Sequence, residues 1–588
     1  MASEFAPARQ MAFHFTASNC IGCHSCEAAC SEKNGLPSHI AWRKVGYVES
    51  GTFPDYRRMN ISMACNHCED PVCLKGCPTR AYVKYDDTGA VIQDSDVCFG
   101  CQYCTWVCPY GAPVFNPEAG TVSKCNFCVD RQAVGLNPAC VDACLGHALD
   151  FGAKDELAAR FDGNDITLPG FPSPAITRPN VRFQFDGVHA ETYTRPDSMP
   201  LSYVGAGGSD HRPVPTENSG AQEGTPPLTW AGLQSSESPL VAFTLIAQGV
   251  VGAFGAFLLT LLSPARPVLD TIGGAFLLLL CGLLGYGLFT STMHLGRPRY
   301  FYRAMNNLRH SWVSREILFM GGFMTLLCAF TGAWFLALPF VWAVVTGAAA
   351  AVFGGLGLFC MVKIYRIPAR PYWNHTHTNV AFFASALILG PLALAAAVFF
   401  GNGLSGPLSG QTTHVLTACA GLALAAGVAA RLSAHRHRRD LSGFGAEAGA
   451  SRILLAGSHG RAAQVREQYA TVLTSLLAMS LAAALATDGP LAVGLFTLAA
   501  LIAAMVHETL DRFLFYLVVI PTTMPGALFL KNSGFEALAR DTGLAASPTV
   551  GVVMDGHSHD AQTPRPAPPM RPLISITSPV PKETPEAF

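Results

Sequence analysis

Hydrophobic positions follow two regimes along the chain. Up to about residue 195 they come in runs of a few residues, broken by polar and turn-forming positions, as in AYVKYDD and AVIQDSD. Runs this short predict small strands between loops, a fold that needs help from something other than a large core. From 196 to 236 the pattern dissolves into Gly, Ser, Thr and Pro (GAGGSDHRPVPTENSGAQEGTPPLTW), which predicts a tether that either hangs free or docks on a partner. After Pro239 eight apolar segments follow one another, at roughly 239–263, 271–293, 316–336, 340–362, 379–400, 413–430, 469–487 and 490–520. Each approaches the length that crosses a bilayer core, and several are rich in Gly and Ala (GAAAAVFGGLGLF, AGLALAAGVAA), as close helix packing in lipid favours. Residues 523–588 turn to Pro, Ser and Thr and read as a largely disordered tail.

Composition agrees with a chain that lies partly in lipid: mean hydropathy is +0.30 and only 13% of residues are charged. The net charge of -1, with arginines set between apolar runs, gives no concentrated basic surface and so no case for nucleic acid. Charge sets topology instead. The loops 294–315, 363–370 and 431–466 fall on one side and hold fifteen Lys and Arg, against Arg266 alone on the other. The positive-inside rule then puts the N-terminal domain and both chain ends in the cytoplasm, with the apolar helices in a bacterial inner membrane. The AHRHRR run within these loops reads as a topology-setting segment, or as a site for anionic lipid headgroups. The opening residues MASEFAPARQMAFHF show neither an apolar signal core nor a twin-arginine pair, so no export is expected.

Cysteine brings in the chemistry. Of the 20 cysteines, four (Cys281, Cys328, Cys360 and Cys419) sit singly in apolar stretches and read as small packing residues. The rest form four complete quartets: Cys20, Cys23, Cys26, Cys30; Cys65, Cys68, Cys73, Cys77; Cys98, Cys101, Cys104, Cys108; and Cys125, Cys128, Cys140, Cys144. The first and third share the spacing C-x2-C-x2-C-x3-C, and Pro109 follows the third. That is the bacterial ferredoxin run, in which three close thiolates grip one cubane and the fourth reaches the other cluster of a pair. A disulfide framework suits exported proteins and a lone C-x2-C pair suits zinc; four full quartets favour four 4Fe-4S clusters acting as a linear electron wire. Lys75, Arg80, Lys124 and Arg131, close to these thiolates in sequence, are candidates for offsetting cluster charge. The expected fold is a ferredoxin-like α+β polyferredoxin domain (1–195), a tether (196–236), an all-α eight-helix transmembrane bundle (237–522) and a cytoplasmic tail (523–588).

At these residues the chain resembles the iron-sulfur and membrane-anchor subunits of dimethyl sulfoxide reductase-type complexes, joined in one polypeptide. The stretches that carry the likeness are CIGCHSCEAACSEKN, ACNHCEDPVCLKGCP, CFGCQYCTWVCPYGAP and KCNFCVDRQAVGLNPACVDAC, then ESPLVAFTLIAQ, MHLGRPRYFYRAMNNLRHSWVSREIL and HETLDRFLFY. The resemblance implies swapped ligands: Cys20, Cys23 and Cys26 with Cys144; Cys125, Cys128 and Cys140 with Cys30; Cys65, Cys68 and Cys73 with Cys108; and Cys98, Cys101 and Cys104 with Cys77. It also implies a separate catalytic subunit carrying a molybdenum bis-pterin cofactor, for which this chain has no domain. The reaction implied is sulfoxide reduction in anaerobic respiration, or sulfite oxidation inside the cell, which the cytoplasmic charge bias fits equally well.

Ionisable residues in apolar helices are costly and so are candidates for function. His294 ends the second segment, Glu316 begins the third, and His507 and Glu508 lie late in the eighth, all expected at the cytoplasmic end. A quinol sheds two protons with its two electrons, so an imidazole and a carboxylate beside its hydroxyls make chemical sense. His294 and Glu316 match the family's quinol-site positions, and Glu508 joins them as a catalytic candidate; each also reads as a helix cap or loop ion pair. His375 and His377 fall on the opposite membrane face from His414, so no haem is expected. The reading is an electron-transfer and anchor subunit between the quinone pool and a molybdoenzyme. Its rivals are a metal-binding membrane scaffold and a redox-driven transporter, the latter weakened by the lack of charge in the middle of the helices.

Overall fold

The computed structural model describes residues 7–522, except 38, 162–167, 196–199, 208–209, 217–227, 234–236, 404–408, 441–444 and 487–489. The N-terminal region is built of small sheets. Strand β1 (Met11–Thr16) pairs antiparallel with β8 (Leu149–Ala153) and parallel with β9 (Val181–Gln184). A second sheet runs β12-β11-β10-β2-β3, from Asp210–Pro215 through Leu201–Gly207, Thr192–Thr194 and Lys44–Ser50 to Arg57–Met63. Two hairpins stand between the cysteine groups, β4–β5 (Tyr82–Lys84 with Val91–Gln93) and β6–β7 (Val114–Asn116 with Thr121–Ser123). The core under the sheets holds Phe13, Phe15, Val48, Met59, Ile61, Phe127 and Phe183, with buried cysteines at its edge.

The stretch expected as a tether is folded over its first part, because β11 and β12 complete the second sheet. Leu201, Ser202 and Tyr203 are all buried, and Arg195 donates to the Tyr203 hydroxyl at 2.9 Å. A buried run this short is masked by the glycines that follow. The hairpin packs against a short helix, Ala446–Ala456, that the apolar pattern did not predict; Leu201 meets Ala446, Ala450 and Ile520 there. The expected tail, 523–588, lies outside the described residues.

Among the described residues eight helices are long and apolar enough to cross a membrane: Ser238–Leu261, Gly273–Met293, Trp312–Phe335, Phe340–Tyr365, Thr376–Asn402, Gly410–Asp440, Gly460–Leu485 and Leu491–Leu517. The third pairs with the fourth, the fifth with the sixth and the seventh with the eighth, while the first packs on both the second and the fifth. The first and fifth approach so closely that a Cβ on Gly252 would lie 1.9 Å from the Ala386 carbonyl oxygen. Here glycine is required by backbone contact between helices.

Candidate electron-transfer site

Each cysteine group starts with a C-x-x-C turn, and in all four the residue before the second cysteine has a left-handed backbone: Gly22 (φ 68°), His67 (φ 41°), Gly100 (φ 76°) and Phe127 (φ 63°). The turn curls the chain so that its thiols and amides face one centre. Backbone amides reach sulfur directly, from Ala81 to Cys77 at 3.3 Å, from Phe127 to Cys125 at 3.4 Å and from Ala148 to Cys144 at 3.2 Å.

The thiols gather in sets that cross the sequence groups. One cavity is walled by Cys20, Cys23, Cys26 and Cys144, another by Cys65, Cys68, Cys73 and Cys108. Cys101 lies in the field of Cys77 and Cys98, and Cys104 in that of Cys101, Cys77 and Cys98. Cys30 is set among Cys140 and Cys128, and Cys125 among Cys30 and Cys140. Burial first, and then the neighbouring thiols, push the Cys30 thiol up to about 11; burial raises Cys108 to about 11 against the pull of the Ala112 amide. Thiols in this state hold their protons until a metal takes them as thiolates. Among the described residues no three His, Cys, Asp or Glu side chains come close enough to share a single metal ion. Each of these cavities is walled by four cysteine sulfurs, a donor set that fits a cubane.

Adjacency orders the sets. Tyr82 lies in the field of both Cys104 and Cys73, and Cys125 in that of both Cys30 and Cys65. The series therefore runs from the set of Cys98, Cys101, Cys104 and Cys77, through Cys65, Cys68, Cys73 and Cys108, then Cys125, Cys128, Cys140 and Cys30, to Cys20, Cys23, Cys26 and Cys144. At this last end Cys23 is exposed, between Ile21 and Leu145, each 69% exposed.

The opposite end of the series sits on the apolar helices. Between the second and third helices, Gly296 N–H donates to the Gly100 carbonyl at 3.3 Å and Arg297 N–H to that of Phe99 at 3.0 Å. Asn307 donates to the Cys77 carbonyl at 2.8 Å, Ser311 to that of Gly76 at 2.8 Å and Arg303 to that of Asp96 at 2.6 Å. Tyr103, next to Cys104, donates to the Ile364 carbonyl at 3.0 Å, and Trp106 packs edge-on against Trp373 with ring centres 5.3 Å apart. The sequence MHLGRPRYFYRAMNNLRHSWVSREIL is thus the seat of one particular cysteine set.

His294 caps the second helix, and both its ring nitrogens are buried without a hydrogen-bond partner. Glu316 is buried in the first turns of the third helix. The Tyr103 hydroxyl is pushed up by burial, then by the thiolate of Cys101, then by the Glu316 carboxylate. One phenol therefore stands within electrostatic reach of a cluster ligand and of a carboxylate in the membrane helices. Glu508 lies elsewhere: it accepts from Ser385 at 2.6 Å and lines an open cavity of about 670 Å³ with His377, Arg466, His507 and Asp511. Among the described residues no hydrogen bond or ion pair joins it to His294 or Glu316.

Several polar residues of this second region escaped sequence reading. Arg512 is buried, donates to Gln248 at 3.0 Å and Ser385 at 3.3 Å, and lies over the Phe382 ring at 3.9 Å; Arg466 pairs with Asp511 at 3.0 Å. The HETLDRFLFY stretch carries one of them, Arg512, directly after Asp511, but only the fold shows which face is interior.

Comparison with known proteins follows the same division. Residues 57–154 match the family described as 4Fe-4S dicluster domain, and residues 231–518 match the family described as DMSO reductase anchor subunit. An anaerobic dimethyl sulfoxide reductase chain of Escherichia coli (strain K12) is 39% identical over 183 residues, 29% of this chain and 87% of that protein. A sulfite dehydrogenase subunit of Allochromatium vinosum is 35% identical over 164 residues, covering 24% of this chain and 68% of that protein. The formate dehydrogenase iron-sulfur subunit of Haemophilus influenzae is 37% identical over 157 residues, covering 24% and 50%.

Proposed function

Because this protein belongs to the family of dimethyl sulfoxide reductase iron-sulfur subunits, with an anchor-subunit domain continuing behind it, we propose that it relays electrons between the membrane quinone pool and a separate catalytic subunit. It is a multi-pass membrane protein with a 4Fe-4S domain, related to subunits of oxidoreductase complexes. On this reading each of the four cysteine sets would hold one 4Fe-4S cluster, which would supply one-electron transfer. The observation that carries the proposal is that Tyr103, next to Cys104, donates to the Ile364 carbonyl in the membrane helices and feels both Cys101 and Glu316. It supports a quinone site under the set of Cys98, Cys101, Cys104 and Cys77.

At that site Glu316 accepts a proton from a quinol hydroxyl, and His294, with two unpaired ring nitrogens, orients the headgroup. Electrons pass to or from the catalytic subunit at the far end, where Cys23 is exposed and the exposed Ile21 and Leu145 offer a dockable surface. Sulfoxide reduction and sulfite oxidation are the two reactions that the relatives' names suggest for that partner, taken to carry the molybdenum bis-pterin cofactor. The cluster domain and chain ends are assigned to the cytoplasm from the Lys and Arg bias of the loops.

Purified anaerobically, the chain is expected to hold about sixteen iron atoms, four per cysteine set, with no strong three-iron EPR signal. A content near half that figure would remove the four-cluster wire. The partner is tested by co-purification: a molybdenum-containing protein that turns over sulfoxides or sulfite is expected, and a partner free of molybdenum would refute this part of the proposal.

A further inference from the structure

Arg43 is the least expected cation in the cluster domain. It belongs to no cysteine motif, yet it is 2% exposed, and its Nε and Nη2 are buried without hydrogen-bond partners. Its Nη1 donates to Ser62 at 3.1 Å, and the Ser62 hydroxyl lies 3.4 Å from the Cys26 sulfur. Its guanidinium lies 4.7 Å from the Phe13 ring centre. A charge this deep is costly unless something offsets it. The Phe13 ring under the guanidinium shares one buried cluster with Cys26 and Cys140, whose thiolates, once a metal takes them, would offset this charge. Those thiolates belong to two different cysteine sets.

Resting on the four-cluster reading, we infer that Arg43 is a fixed positive charge shared by the two clusters of the first and fourth cysteine groups, and that it holds both reduction potentials up. Reduction adds a negative charge to a cluster inside a low-dielectric interior, and a buried cation between two clusters favours the reduced form of each. Lys124 plays the neighbouring part: it donates to the Cys125 carbonyl at 3.0 Å and lies in the field of Cys65 and Cys73. The set of Cys98, Cys101, Cys104 and Cys77 lies at the other end of the series, against the membrane helices. Arg43 thus pulls electrons away from the membrane end toward the exposed end at Cys23.

The test is an EPR-monitored redox titration of the full-length chain carrying Arg43→Gln or Arg43→Lys. In Arg43→Gln two of the four centres should move to lower potential while the other two stay; Arg43→Lys, which keeps the charge, should stay near the wild-type pattern. Four unmoved centres, or four that move together, would overturn the proposal. If Arg43→Gln loses iron, Arg43→Lys decides: retained iron and potentials support a charge role, and loss of iron there too assigns a packing role and overturns it. Wild-type iron near half the sixteen-atom figure would count against the four-cluster reading itself, an outcome distinct from any of these.

Discussion

Glu316→Gln is expected to cost about a hundredfold in quinone-linked turnover while leaving every cluster in place. The substitution keeps size and hydrogen bonding but removes the proton acceptor, and Glu316 lies in the helices, apart from the cysteine sets. Reduction by an artificial dye, which enters at exposed clusters, should proceed at the wild-type rate. That contrast separates the wire from the site. His294→Ala should behave in the same way, and the double variant should lose little more than either single one, since groups acting as a unit are not additive. Full quinone-linked turnover in both single variants would reject the assignment and move attention to Glu508 and His507.

Gly296→Val is expected to produce a comparable loss by a different route. Gly296 lies against the cluster domain, and a Cβ there would stand 2.2 Å from the Gly120 carbonyl oxygen. Its amide also donates to Gly100, inside the turn that ends at Cys101. Two backbones this close cannot yield to a side chain without separating, at about 1–3 kcal/mol for an overpacked contact, or about ten- to a hundredfold in the docked fraction. Iron content and dye reduction should be unchanged, with electron exchange between quinol and clusters slowed. Unimpaired exchange would mean that this glycine seat does not position the wire.

Most of the architecture was legible because it rests on strong local signals. Eight apolar runs of spanning length specify the helices whatever their partners, and the C-x2-C turns specify cysteine sets through the backbone they force. What remained hidden depends on tertiary contact. Leu201, Ser202 and Tyr203 make too short a buried run to outweigh the glycines after them, so a sheet hairpin read as a tether. Arg43 has no local pattern at all; its importance comes from the two cysteine sets that close around it. Glu508 was legible as a candidate because, like Glu316, it lies toward one end of an apolar helix. Its surroundings were not: it accepts from Ser385 and lines a cavity with His377, Arg466 and Asp511.

The central claim is that this chain, without its catalytic partner, connects quinol to its clusters. The most direct measurement is the visible absorbance of the purified, oxidised protein in detergent when a reduced quinol is added anaerobically. Partial bleaching of the iron-sulfur absorbance is expected in the wild type, greatly slowed in Glu316→Gln, with dithionite bleaching both. A wild-type protein that dithionite bleaches but no quinol does would contradict the account.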